Sequence, residues 1–149
     1  MIREAAGPIP AGGTAAVLSV DGAARGNPGP AGAGFVIEQG EVTLLSAGRY
    51  LEEATNNVAE YRALIMGLEA ASTIGIRELD VRSDSELLVR QIRGEYRVRN
   101  EGLRPLFAEA QRLMGRFARV TIEHVPREGN RQADRLANMA IDAKGAVRG

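Results

Sequence analysis

The sequence predicts an α/β fold, a mixed β-sheet with helices packed against it. Three observations carry this expectation. The first fifty residues contain short apolar runs separated by turn residues, the pattern of hairpin-joined strands. Residues 56–73 place apolar side chains at helical spacing. Beyond them strand-like and helix-like segments alternate, giving the order β-β-β-α-β-α-α-β-α.

Each element has a local reason. Residues 15–21 read as a first strand, with Val17, Leu18 and Val20 leading into Asp21 at its end. Gly22, Gly26, Pro28, Gly29, Pro30, Gly32 and Gly34 follow and read as a loop. Residues 33–38 and 42–50 read as two strands joined through "EQGE". In residues 56–73, Ala59, Ala63, Leu64, Met66, Leu68 and Ala71 mark a buried helix face, and Gly75 is a stop signal. "RELDVRS" is a short strand. "SDSELLVRQIRG" reads as a helix opened by Ser83, with Glu86 three residues later as in a capping box, and closed by Gly94. "EYRVRN" links to a helix over 101–116, and "RVTIEHV" is the final strand. Residues 129–142 form a last helix with Asn130 as N-cap. Residues 1–13 read as a flexible leader, 14–143 as the folded domain, and 144–149 as a flexible tail or the start of a linker.

Composition narrows the function classes. A chain of 149 residues is long enough for one domain with a proper core. No apolar run approaches the ~20 residues of a membrane helix, and the N-terminus lacks the pattern of a signal peptide. There is no cysteine, which removes disulfides and thiolate metal sites and fits a cytoplasmic location. Formal net charge is zero, so bulk charge does not announce nucleic-acid binding. Of nineteen cations only Lys144 is lysine, and arginine suits bidentate phosphate contacts. Gly26 and Gly29 fail the dinucleotide fingerprint spacing, and the absence of "GK[ST]" excludes a P-loop.

Four acids stand apart. Asp21 closes an apolar strand, with Arg25 as the only cation nearby in sequence. Glu60 lies in line with Leu64, Gly67 and Ala71 on the face of a helix that turns to the sheet. Asp84 stands between a strand and a helix, and Asp134 in the first turns of the last helix. Taken singly, each has a plain structural reading as turn former, helix-dipole partner or surface acid. Together they sit where function gathers in α/β sheets, at strand ends and helix starts. Four converging carboxylates without basic partners repel one another unless they hold hard cations. Two Mg²⁺ ions would balance their charge, and such a pair clamps the attacking and leaving oxygens of a phosphoryl transfer.

"DGAARGNPGPAGAGFVI", "TNNVAEYRALIMGLEAA", "LDVRSDSELLVRQI" and "REGNRQADRLANMA" resemble, in order, the four motif blocks of type 1 ribonuclease H. The resemblance runs from Val17 to Asp142. It implies the ribonuclease H fold, a five-stranded mixed sheet of order 3-2-1-4-5 flanked by helices. It also implies endonucleolytic hydrolysis of the RNA strand of RNA–DNA hybrids, leaving 5′-phosphate and 3′-hydroxyl ends. By match to the blocks, Asp21, Glu60, Asp84 and Asp134 are the catalytic, metal-binding acids, for two Mg²⁺ ions with Mn²⁺ as a substitute. Asn27, Asn56 and Asn57 fall where the family touches the hybrid. Backbone groups of the glycine-rich segment, from Gly22 onward, can approach sugars closely, and 2′-hydroxyl contacts distinguish RNA from DNA. For Asn56 an N-capping role is an equal alternative. The alternative function is a catalytically silent module that binds hybrid or duplex RNA. The expected partner is an RNA–DNA hybrid, with duplex RNA as an extension and no membrane, and the protein is expected to be a monomer.

Two features depart from many family members. The "GEYRVRN" link is short, with no tryptophan, so there is no long basic handle insertion. Arg90, Arg93, Arg97, Arg99 and Arg104 offer either a smaller basic patch or a solvated face. The only histidine, His124, belongs to a strand pattern rather than a mobile loop and reads as structural. Arg127, in the shortened loop that follows, is the better candidate for a phosphate contact, against a surface pairing with Glu123 or Glu128.

Overall fold

The computed structural model describes residues 13–149. Six strands, β1 (Ala15–Ala24), β2 (Gly29–Gln39), β3 (Val42–Ala54), β4 (Glu78–Ser83), β5 (Arg119–His124) and β6 (Ala146–Arg148), form one sheet of order β5-β4-β1-β2-β3-β6. β1 pairs antiparallel with β2 and parallel with β4; β5 joins β4 in parallel, and β3 and β6 extend the antiparallel side. Helices α1 (Asn56–Thr73), α2 (Glu86–Ile92), α3 (Arg104–Met114) and α4 (Arg131–Ala143) flank the sheet, the last preceded by a 3-10 turn over Arg127–Asn130. The mixed sheet and its order agree with the sequence. The strand count is corrected from five to six: part of the segment read as a flexible tail pairs with β3 through Ala146, Val147 and Arg148. The leader lies outside the described residues, except for Gly13.

The sheet separates two apolar layers. On one face Leu18, Val20, Phe35 and Val81 pack against Leu64 and Leu68 of α1, with Leu88 of α2 and Leu113 of α3 in the same cluster. On the other, Val36 packs against Ala133 and Leu136 of α4, and Val147 of β6 covers its edge. That second contact is very close. A Cβ at Gly34 would stand 2.3 Å from the Ala133 carbonyl oxygen, and one at Gly32 equally near that of Ala137. These glycines therefore admit a helix backbone onto the sheet, a purpose different from the approach to sugars suggested by composition.

Several boundaries move. β1 continues three residues past Asp21 and β2 begins at Gly29, so the supposed loop is a four-residue connection over 25–28. Ladder hydrogen bonds carry the chain through a stretch whose glycines argue for a break. The cap of α2 is Ser85, whose side chain accepts from the Leu88 N–H at 3.2 Å. Ser83 ends β4 instead, and its Oγ accepts from the Ser85 N–H. α3 starts at Arg104 because Asn100 Oδ1 accepts from the Gly102 and Leu103 N–H groups, turning the chain before the helix. Only eleven residues, 93–103, separate α2 from α3, in keeping with a missing handle.

Candidate metal centre

Strand register builds the centre. Val20 lies beside Ser83 across the parallel β1–β4 pair, which brings Asp21 and Asp84 to neighbouring positions one residue further on. Asp21 pairs with Gly34 across β1–β2, and Gly34 faces α4, so the Asp21 side chain points to the α4 layer. Gly22, the next residue, faces the other way, where a Cβ would meet Ala59 and Glu60 of α1 within 2.4 Å. Its missing side chain lets α1 sit against the strand, and its N–H donates to Glu60 Oε1 at 2.7 Å. Glu60 is thus aimed by the backbone of the strand that carries Asp21.

Carboxylate oxygens of Asp21, Glu60 and Asp84 all lie within 4.8 Å of one another. Asp134, from α4, is hydrogen-bonded to Asp21 but falls outside that group of three. Asp21 is buried. Burial pushes its carboxyl up to about 10, reinforced by the Glu60 charge, the hydrogen bond with Asp134, and the charge of Asp84. Burial also pushes Glu60 up to about 8, against the Gly22 N–H and the Arg127 charge, which favour its ionised form. Arg127 stands in the 3-10 turn with its Nε 4.0 Å from Asp84 Oδ2; its side chain is 87% exposed, and that of Asp84 11%. Its pairing is with Asp84, and no ion pair to Glu123 or Glu128 forms among the described residues. Every donor in the group of three is a carboxylate oxygen, without nitrogen or sulfur ligands, which suits a hard divalent cation such as Mg²⁺ or Mn²⁺.

The remaining sequence candidates surround this cluster. Asn27 Oδ1 accepts from the Asn56 N–H, and Asn56 Oδ1 accepts from the Ala24 N–H, both at 3.0 Å. The two asparagines lock the turn after β1 to the start of α1, and both are exposed, as is Asn57. Thr55, rather than Asn56, caps α1, accepting from Val58. His124 is exposed at the last position of β5, opposite Ser83. Asn130 precedes α4 without capping it through its side chain; its Nδ2 donates to the Val20 carbonyl and ties the turn to the centre of the sheet. Arg25 does not meet Asp21. It pairs with Asp142 at 2.6 Å and bonds to Asn138, which in turn donates to Asp134. Sequence reasoning passed over Asn138; its signal was the spacing Asp134–Asn138–Asp142, one helical turn per step.

Comparison with known proteins agrees with this architecture. The family model described as reverse transcriptase-like matches residues 19–140. A bifunctional protein of Mycobacterium tuberculosis is 46% identical over 129 residues, covering 85% of this chain and 35% of its own length. Ribonuclease HI of Halobacterium salinarum is 43% identical over 123 residues, covering 82% of this chain and 62% of its own. The chain therefore spans about a third of the first relative and under two thirds of the second. Among solved structures, ribonuclease H1 of H. salinarum superposes with a TM-score of 0.84 at 41% identity, covering 87% of this chain and 98% of that one. LC11 ribonuclease H1 in complex with an RNA/DNA hybrid superposes with a TM-score of 0.82 at 43% identity, with the same coverage.

Proposed function

The chain belongs to the type 1 ribonuclease H family, and from that premise we propose that it is an endonuclease hydrolysing the RNA strand of RNA–DNA hybrids. The observation that carries the proposal is the convergence of Asp21, Glu60 and Asp84 oxygens within 4.8 Å, with Asp134 hydrogen-bonded to Asp21. The relative that holds an RNA/DNA hybrid supports the substrate class. In this reading Asp21, Glu60 and Asp84 hold divalent cations, and Asp134 completes the set. Divalent cations held there would supply charge neutralisation at the scissile phosphate and ease deprotonation of the attacking water, and cleavage would leave 5′-phosphate and 3′-hydroxyl ends. The Gly22 N–H orients Glu60 before substrate arrives, which lowers the reorganisation needed at the reaction. Asn27, Asn56 and Asn57 offer amide groups to 2′-hydroxyls at the open side, with Gly22 at the strand beneath them. Arg127, solvated and next to Asp84, meets a backbone phosphate. The enzyme acts as a cytoplasmic monomer, and the absence of cysteine fits that compartment. Among the described residues no helix is long and apolar enough to cross a membrane.

The test is a labelled RNA–DNA hybrid incubated with Mg²⁺, and in parallel with EDTA. Internal cuts confined to RNA, absent with chelator, are expected. Asp21→Asn and Asp84→Asn should each abolish cleavage while leaving the fold intact or more stable, since the first removes a carboxyl whose ionised form burial opposes and the second one of the charges that crowd it. Near wild-type activity in either variant would overturn the assignment. Hybrid binding without cutting would favour the silent module, and a duplex-RNA arm of the assay defines substrate range.

A further inference from the structure

One hydrogen-bonded chain leads from the acid cluster back to the connection after β1. Asp134, Asn138 and Asp142 share one face of α4. Asn138 Nδ2 donates to Asp134 Oδ1 at 3.2 Å and to the Asp134 carbonyl oxygen at 3.0 Å. Asn138 Oδ1 accepts from Arg25 Nη2 at 3.3 Å, and Arg25 Nη1 pairs with Asp142 Oδ1 at 2.6 Å. The polarity of this chain settles which way the amide points. A carboxylate only accepts and a guanidinium only donates, so the group between them must offer a donor on one side and an acceptor on the other. Aspartate at 138 would oppose Asp134 with like charge, lysine would oppose Arg25, and leucine would offer neither of them a hydrogen bond from its side chain, leaving Arg25 to Asp142 alone among side chains.

We propose that Asn138, held by Arg25, is a positioning residue that aims the Asp134 carboxylate at the acid cluster and so strengthens cation binding there. The proposal rests on the metal-centre reading above. Hydrogen-bonded partners of ligating carboxylates orient them, and their loss commonly weakens metal affinity by about 10- to 100-fold. The Arg25 link also joins this control to the connection that carries Asn27, so the segment facing substrate and the helix carrying Asp134 are set against each other.

Calorimetric titration of the nucleic-acid-free protein with Mn²⁺ tests this without relying on turnover. Asn138→Leu should weaken Mn²⁺ binding on the order of tenfold, with little change in the melting temperature of the metal-free form. Arg25→Leu should act in the same direction, and the double variant should be no weaker than Asn138→Leu alone. Asp134→Asn should weaken binding too, and adding Asn138→Leu to it should have no further effect. Undiminished affinity in Asn138→Leu overturns the proposal, as does an undiminished effect of that substitution in the Asp134→Asn background. Wild-type protein that binds no Mn²⁺ would instead overturn the metal centre itself, whereas loss of wild-type binding in Glu60→Gln supports that centre independently of Asn138.

Discussion

Asp21 holds its proton up to about pH 10 and Glu60 to about pH 8 in the metal-free protein, against reference values of 3.8 and 4.5. Between those limits the native state binds more protons than the unfolded chain, so stability falls as pH rises. Melting temperatures of metal-free protein should therefore decline from about pH 4 toward pH 10, and the decline should be shallower in Asp21→Asn. Saturating Mg²⁺ should restore stability at the alkaline end, because the cation favours the ionised carboxylates that burial opposes. His124 supplies a second residue-scale prediction. It is exposed at the end of β5. As a strand residue it should tolerate alanine with a small loss that follows stability, whereas a general acid or base would lose on the order of 10²-fold in turnover. Asp21 and Glu60 could be singled out in the sequence because each puts a charge on an otherwise apolar strand or helix face, and Asp84 and Asp134 because they stand where a strand ends or a helix starts. Asn138 could not, because an asparagine on a helix is unremarkable until the fold brings Arg25 to its other side.

At the scale of elements, α1 was legible to its last residue: the apolar spacing over 56–73 matches Asn56–Thr73. Hairpin strands β1 and β2 were read too short, because the glycines that suggested a loop serve helix–sheet contact instead. The start of α2 was misplaced because Ser83 and Ser85 both fit a cap by composition, and only backbone geometry separates them. Ser85→Ala should cost about 1 kcal/mol in urea denaturation, while Glu86→Ala, which loses only an exposed pair with Arg90, should stay within about 0.5 kcal/mol. Gly22→Ala should be far more damaging, since its Cβ would stand 2.2 Å from the Ala59 carbonyl carbon, where both sides are backbone. The strand and α1 must separate to admit it, at roughly 1–3 kcal/mol or more, and Glu60 should lose its N–H partner in the process.

For the molecule as a whole, β6 is the one strand the sequence did not foretell, being three residues long and following a helix directly. Its contribution is an edge: Val147 packs against the Val36–Ala133–Leu136 cluster. A chain stopped after Ala143 should remain folded but lose about 1–2 kcal/mol in denaturant midpoint experiments, and the proposed hybrid cleavage should survive the cut at permissive temperature. The sheet order has a longer reach. Among the described residues the first strand, β1, lies inside the sheet; its parallel neighbour β4 comes some sixty residues later, and the helix bearing Asp134 later still. During synthesis on a ribosome, therefore, Asp21 emerges well before Asp134 and has no complete set of partners until the chain has grown through residue 134. On the proposed reading, a nascent chain that has not yet grown through residue 134 would therefore be unable to cut nearby nucleic acid, because Asp134 has not joined the acids of the earlier strands.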